Sequence, residues 1–237
     1  ESGNGNDVEL SGPVLSEDRL GNISNSLSFD GQDDFAQTPV GSNGDNVSIS
    51  TWFKTSEPDK MMSIIDSDIS GHYGRSLILN YDATGQDHLD NRLSIEFHNS
   101  AAYTDEVIES GVWYNAVAVY AAGTYKLFLN GSLALSGNEP NAPDGSNFRF
   151  GKHSSPFMFN GVIDDVRIYN RALSEDEVAA LYELEKPETE TIPAGPESLW
   201  FHSFAGYNNA HTISVHSLGN GNLLVAGGHS SGGFAEA

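Results

Sequence analysis

The sequence predicts an all-β fold, a two-sheet sandwich or jelly roll with one short C-terminal helix and a short β-rich tail. Three features predict it: many short runs alternating apolar and polar residues, Gly, Asn and Asp at the breaks between them, and a single capped stretch of helical period. At 237 residues the chain can bury one sizeable core.

The elements follow in order. Charged residues with Asn, Gly and Ser crowd the first two dozen positions, after which Leu27 and Phe29 mark a strand running into Gly31. Val47, Ile49, Thr51 and Phe53 alternate with Ser48, Ser50, Trp52 and Lys54, the period of a strand with one buried face. Similar runs occupy Arg75–Tyr81, Arg92–His98, Val112–Tyr120, Thr124–Leu129 and Val162–Tyr169. Asn130-Gly131 tolerates positive φ and predicts a tight hairpin between Leu129 and Leu133. Ser174 and Glu177 form a capping box, Leu173 can staple onto Val178, and Val178, Leu181 and Tyr182 make one stripe of a helix ending near Glu185.

Residues 1–186 therefore read as one domain. The proline- and charge-rich KPETETIPAGP that closes it gives a linker over 187–196. Residues 197–237 hold a Thr212–Ser214–His216 alternation, a Gly-Asn-Gly turn and the apolar run Leu223–Ala226. About forty residues do not bury a stable core of this kind, so the tail is expected to begin something larger, and a first residue Glu1 suggests an upstream portion.

Composition excludes several functions. With no cysteine there is no disulfide framework, thiolate metal site or cysteine nucleophile. A net charge of −22 repels nucleic acid and anionic membrane surfaces and suits calcium, cationic partners or neutral glycans. No run of eighteen apolar residues is present to insert in a bilayer, and no signal segment opens the chain.

Three stretches carry a family resemblance: SLSFDGQDDFAQ at Ser26–Gln37, GVWYNAVAVYAAGTYKLFLNGSLALSG at Gly111–Gly137, and FNGVIDDVRIYNRALSEDEVAALY at Phe159–Tyr182. Together they resemble the laminin-G-like, concanavalin A-like lectin/glucanase modules of bacterial surface proteins. The resemblance implies a two-sheet jelly roll, frequently with bound calcium, used for glycan binding or adhesion outside the cell. The opening ESGNGNDV is similar to the stretch after the family's usual first strand, which leaves one sheet edge short of that strand. Trp200, Phe204, Gly206, Asn208, Leu223, Val225 and Gly227 resemble one incomplete blade of a secreted β-propeller repeat.

Period-two alternation puts Asp164 on the face of Val162, Val166 and Ile168, where a carboxylate needs a partner or a metal. A calcium ion joining Asp30, Gln32 and Asp164 with backbone carbonyls answers that need, and the resemblance points the same way. The alternative is that these carboxylates accept backbone N–H bonds in turns, or that one pairs with Arg167. Asp33 and Asp34 are possible contributors; Asp66, Asp68, Asp82, Asp87 and Asp90 lack a calcium-loop spacing and read as a solvated loop. A glycan surface needs exposed aromatics beside polar groups, and His72, Tyr73, Tyr103, His153 and Phe157 are the loop candidates, whereas Trp52 and Trp113 fall in strand patterns and read as core.

Catalysis is not expected. No strand carries the paired glutamates of a glycosidase, Glu96 has no carboxylate partner in its own run, and the histidines lack a zinc spacing. Gly228-His229-Ser230-Ser231-Gly232 is a literal G-x-S-x-G without a following helix. Two functions remain: a non-catalytic glycan-binding or adhesion module, with further domains of the same polypeptide as possible partners, or an ancillary targeting domain of a larger polysaccharide-degrading enzyme.

Overall fold

The computed structural model describes residues 6–41, 44–67, 74–81, 90–97, 100–139, 147–153 and 157–187, together with the backbone of 210–218 and 222–229. In chain order the strands are β1 (Glu9–Ser11), β2 (Val14–Ser16), β3 (Ser26–Asp30), β4 (Phe35–Gly41), β5 (Asn46–Lys54), β6 (Met62–Asp66), β7 (Arg75–Leu79), β8 (Arg92–Phe97) and β9 (Ser100–Val107). They continue with β10 (Tyr114–Ala121), β11 (Thr124–Leu129), β12 (Ser132–Asn138), β13 (Asn147–Phe150) and β14 (Asn160–Tyr169); helix α1 (Glu175–Glu185) follows, then β15 (Ala210–Leu218) and β16 (Asn222–His229).

Two seven-stranded antiparallel sheets form the sandwich, in the orders β1-β4-β13-β6-β7-β8-β9 and β12-β11-β10-β5-β14-β3-β2. Phe29, Phe53, Leu77, Ile95, Leu127, Phe148, Phe150 and Phe159 belong to the large core cluster. A smaller cluster of Val117, Val119, Phe128, Leu173 and Val178 seats α1 on the outer face of the second sheet. Strand β10 is consequently buried on both faces, with Ala116, Ala118 and Tyr120 inward and Val117 and Val119 under the helix. Contacts divide the chain into two compact units, 1–188 and 189–237; in the second, β15 and β16 pair antiparallel, and the Gly-Asn-Gly expected to turn between them lies outside the described residues.

Local signals hold where they are strongest. Val47, Ile49 and Phe53 enter the core, Asn130 and Gly131 take φ of 49° and 77°, and both halves of the capping box form, with the Glu177 N–H donating to Ser174 Oγ and the Ser174 N–H to Glu177 Oε2. The missing edge is filled from within the chain, since β1 pairs with β4 and β2 with β3, giving each sheet a short edge strand. Trp52 is buried, but on the outer face: its ring stacks on Tyr182 at 5.7 Å. Trp113 lies before β10, half-buried, with the Lys54 ammonium 4.8 Å from its ring centre.

The face assigned to Asp164 is corrected. Ile163 lies opposite Phe53 and Asp164 opposite Trp52, and a β-bulge then places Arg167 opposite Ser50. Asp165, with φ 44°, takes the bulge, so Asp164 and Arg167 share the outer face while Ile163 points into the core. One extra residue breaks the period-two count.

Candidate functional site

The turn from β3 to β4 gathers acidic groups. Asp30, Asp33 and Asp34 bring carboxylate oxygens within 4.8 Å of one another, Asp34 buried and the other two exposed. Asp34 Oδ2 accepts the Asp30 N–H at 2.9 Å, and Asp30 accepts the N–H and side-chain amide of Gln32 at 2.8 and 2.9 Å. Gly12 presses on Asp34 from β1–β2: a Cβ there would stand 1.9 Å from Asp34 Oδ1.

Beside this turn is a pocket of about 290 Å³ lined by Asp30, Glu57, Lys60, Met61, Met158 and Asn160, with Gly31 and Met62 completing it. Glu57 organises the opening, accepting from Lys60 Nζ at 2.6 Å and from Asn160 Nδ2 at 2.7 Å. Those two bonds hold its carboxyl below its usual range, and the pairing raises Lys60. Thr55 Oγ1 donates to the Asn160 carbonyl at 2.6 Å, fixing Asn160 against the end of β5. Glu57, Lys60 and Asn160 were not singled out from sequence. The turn-forming Glu57-Pro58-Asp59-Lys60 gives only a local signal, and nothing in it locates Asn160 opposite.

Asp164 does not join this site. Its carboxylate takes the Arg19 guanidinium at 2.6 Å and the Asp165 N–H at 2.8 Å, while Arg19 Nη1 also reaches Asp165 at 2.7 Å. The cation expected beside Asp164 is thus an arginine, and Arg19 covers the Trp52 ring at 4.8 Å. Arg167 pairs with Glu185 and Asp165 instead, and Trp52 Nε1 donates to Glu185 at 2.8 Å, tying the end of α1 to the sheet. Burial pushes both the Asp164 and the Glu185 carboxyls up.

A second polar group crosses the outer face of the first sheet. Register aligns Arg149 on β13 with Asp66 on β6, and Ser76 on β7 with Glu96 on β8. Asp66, expected in a solvated loop, is fully buried, accepting from Arg149 Nη2 at 2.6 Å and from Ser76 Oγ at 2.7 Å. His153 Nε2 lies 3.1 Å from Glu96 and 3.9 Å from Asp66. Glu96 thus gains a neighbouring carboxylate from a different strand, which its own run could not reveal.

Of the aromatic candidates, His153 and Phe157 come together, ring centres 5.5 Å apart, but His153 is buried rather than displayed. Tyr103 is 48% exposed and stands on strand β9, opposite Ser94, rather than in a loop. His72 and Tyr73 lie outside the described residues.

The sandwich with its one outer helix, the acidic turn and the adjoining pocket all fall within or beside a single family match. The profile of Laminin_G_3, described as the concanavalin A-like lectin/glucanases superfamily, matches residues 30–179. The chain belongs to this superfamily. Among solved structures it is similar to domain 4 of an extracellular arabinanase from Geobacillus stearothermophilus in complex with arabinotriose, at TM-score 0.62 and 18% identity over 76% of this chain and 91% of that one. It also resembles the receptor binding domain of botulinum neurotoxin D, at TM-score 0.56 and 17% identity over 76% of this chain and 48% of that one. A Trypanosoma rangeli sialidase in complex with the inhibitor DANA shares the fold at TM-score 0.58 and 19% identity, over 75% of this chain and 29% of the sialidase. No curated protein sequence matches significantly. The comparisons give the propeller-blade resemblance of the tail no support.

Proposed function

We propose that this superfamily member is a non-catalytic, calcium-stabilised carbohydrate-binding or adhesion module of a secreted or cell-surface protein. The observation that carries the reading is the polar pocket that shares Asp30 with the acidic turn. Carboxylates, an amide and an ammonium supply the acceptors and donors that sugar hydroxyls need. Asp30, Asp33 and Asp34, with Gln32 beside them, fit a hard cation by donor chemistry, being oxygen ligands on one short turn. Calcium bound there would neutralise part of the crowded negative charge and brace the turn that forms one wall of the pocket. Binding needs no positioned acid, base or nucleophile, and the described pocket presents Glu57 already engaged by Lys60 and Asn160.

The second reading, an ancillary targeting domain of a polysaccharide-degrading enzyme, is favoured by the likeness to one domain of an arabinanase, nearly all of which this chain spans. In that setting the same pocket would anchor the enzyme to its polymer.

The test is a glycan array probed with calcium and again with chelator, beside a thermal melt under both conditions. The expected outcome is binding to neutral glycans together with a calcium-dependent rise in Tm that Asp30→Asn abolishes. Identical melts remove the calcium, and new reducing ends released from a polysaccharide panel remove the non-catalytic reading.

A further inference from the structure

The chain has three methionines, and all of them, Met61, Met62 and Met158, line the pocket at Asp30. Two are neighbours in sequence, and backbone pairing brings the third to them. The Ser63 N–H donates to the Phe157 carbonyl at 3.1 Å, which sets Met158, leading into β14, beside Met62 at the start of β6. Among the described residues they are the pocket's only apolar side chains. Their surroundings differ. Met62 is 2% exposed, and its Sδ accepts the Asn160 N–H at 3.3 Å, so one lone pair is engaged and burial shields the other. Met61 and Met158 are only partly buried.

We infer that hydrogen peroxide modifies the folded protein at Met61 and Met158 while sparing Met62, and that this oxidation changes what the pocket binds; the second half rests on the carbohydrate reading above. The thioether sulfur gives a lone pair to one peroxide oxygen and the O–O bond breaks. That oxygen stays on sulfur as the sulfoxide, its proton passes to the departing hydroxide, and water leaves, so sulfur is oxidised by two electrons and the peroxide reduced by two. A weakly accepting thioether on an apolar stem becomes a polar group with an accepting oxygen. The product is uncharged, so the change lies in hydrogen bonding. Lys60, bonded to Glu57 at 2.6 Å, lines the same pocket, and a new acceptor there competes with ligand hydroxyls for its remaining protons.

The experiment exposes the full chain to limiting hydrogen peroxide, in buffer and in urea, and maps the added oxygen by mass spectrometry over time. Met61→Leu and Met62→Leu are run alongside, because these two residues share a peptide. Met61 and Met158 are expected to oxidise at rates within about tenfold of each other, and Met62 at least about tenfold more slowly, a gap that closes in urea once structure no longer protects it. Met62 oxidising as fast as Met61 in the folded chain, or Met158 as slowly as Met62, overturns the assignment. For the second half, the glycan array is read before this limited oxidation, after it, and again after treatment with both epimer-specific methionine sulfoxide reductases. The signal is expected to fall at least about threefold and to recover on reduction. A signal unchanged by oxidation, or lost without recovery, overturns the switch and leaves carbohydrate binding intact. An array blank before oxidation removes the carbohydrate reading and the switch with it, while the mapping still decides the modified sites.

Discussion

Replacing Asp66 by alanine tests whether the outer row of the first sheet is a buried network. The wild-type carboxylate is 0% exposed and accepts from Arg149 at 2.6 Å and from Ser76 at 2.7 Å, with His153 at 3.9 Å. Truncation removes the acid while the Arg149 side chain stays 11% exposed, and breaking a buried pair from one side costs about 3–5 kcal/mol. For a domain of this size each kcal/mol lowers Tm by about 2–4 °C, so the expected drop is about 6–20 °C. A solvated loop aspartate would cost no more than about 0.5 kcal/mol. The assay is urea denaturation of wild type, Asp66→Ala and the double variant Asp66→Leu, Arg149→Met. The double variant should recover most of the loss, because an apolar pair of similar volume removes both desolvated charges. A loss under about 1 kcal/mol for Asp66→Ala would refute the reasoning.

Further outcomes follow from the same structure. Gly151→Ala should destabilise more than Gly111→Ala: both have positive φ, 84° and 76°, but a Cβ on Gly151 stands 2.4 Å from Phe29 Cδ1 while that on Gly111 meets nothing within 4 Å. Backbone strain alone accounts for about 1–2 kcal/mol at Gly111, and paired thermal melts read the difference. Ser174→Ala removes the helix cap and should cost about 1 kcal/mol by urea denaturation. Glu177, held at about 2 chiefly by Arg171 and then by the Ser174 N–H, contributes stability above its ordinary 4.5 and loses it as pH falls through 2. The stability gap between wild type and Glu177→Gln should therefore shrink across that acid window. Asp164 and Glu185 have the opposite sign: burial raises them above 3.8 and 4.5, so their contribution is fullest below those values and declines as pH rises through the folded pKa. Melts against pH should show Glu185→Gln making a smaller gain than wild type on acidification, with the Asp164 part retained.

Signals confined to neighbouring residues were legible in the sequence. The Val47–Phe53 alternation, the Asn130-Gly131 turn and the Ser174–Glu177 box each depend on a few consecutive side chains, and all are realised. Features that depend on strand order were not. Arg149, Asp66, Ser76 and Glu96 come from four strands, and only the pairing β13-β6-β7-β8 puts them in one row. Asp66 therefore read as a loop acid and Glu96 as a solitary one. Asp164 failed differently: the alternation around it was real, but the bulge at Asp165 inverted it, and Arg19, from the segment between β2 and β3, supplied the counter-charge. Of the candidate site, Asp30 and Gln32 were legible because they share a turn. Glu57, Lys60 and Asn160 meet them only through folding.

The segment Glu9–Ser16 gives one three-residue strand to each sheet, with only Gly12 and Pro13 between them. Three residue steps from Ser11 to Val14 span at most about 11 Å, and packed sheets stand about 10 Å apart. The tether has almost no slack. A slip of β1 by one residue along β4 would drag β2 off its partners on β3, so the alignment of one edge calibrates the other. Lengthening the Gly12-Pro13 connection would uncouple them, leaving two loose margins where the wild-type chain has a single taut stitch.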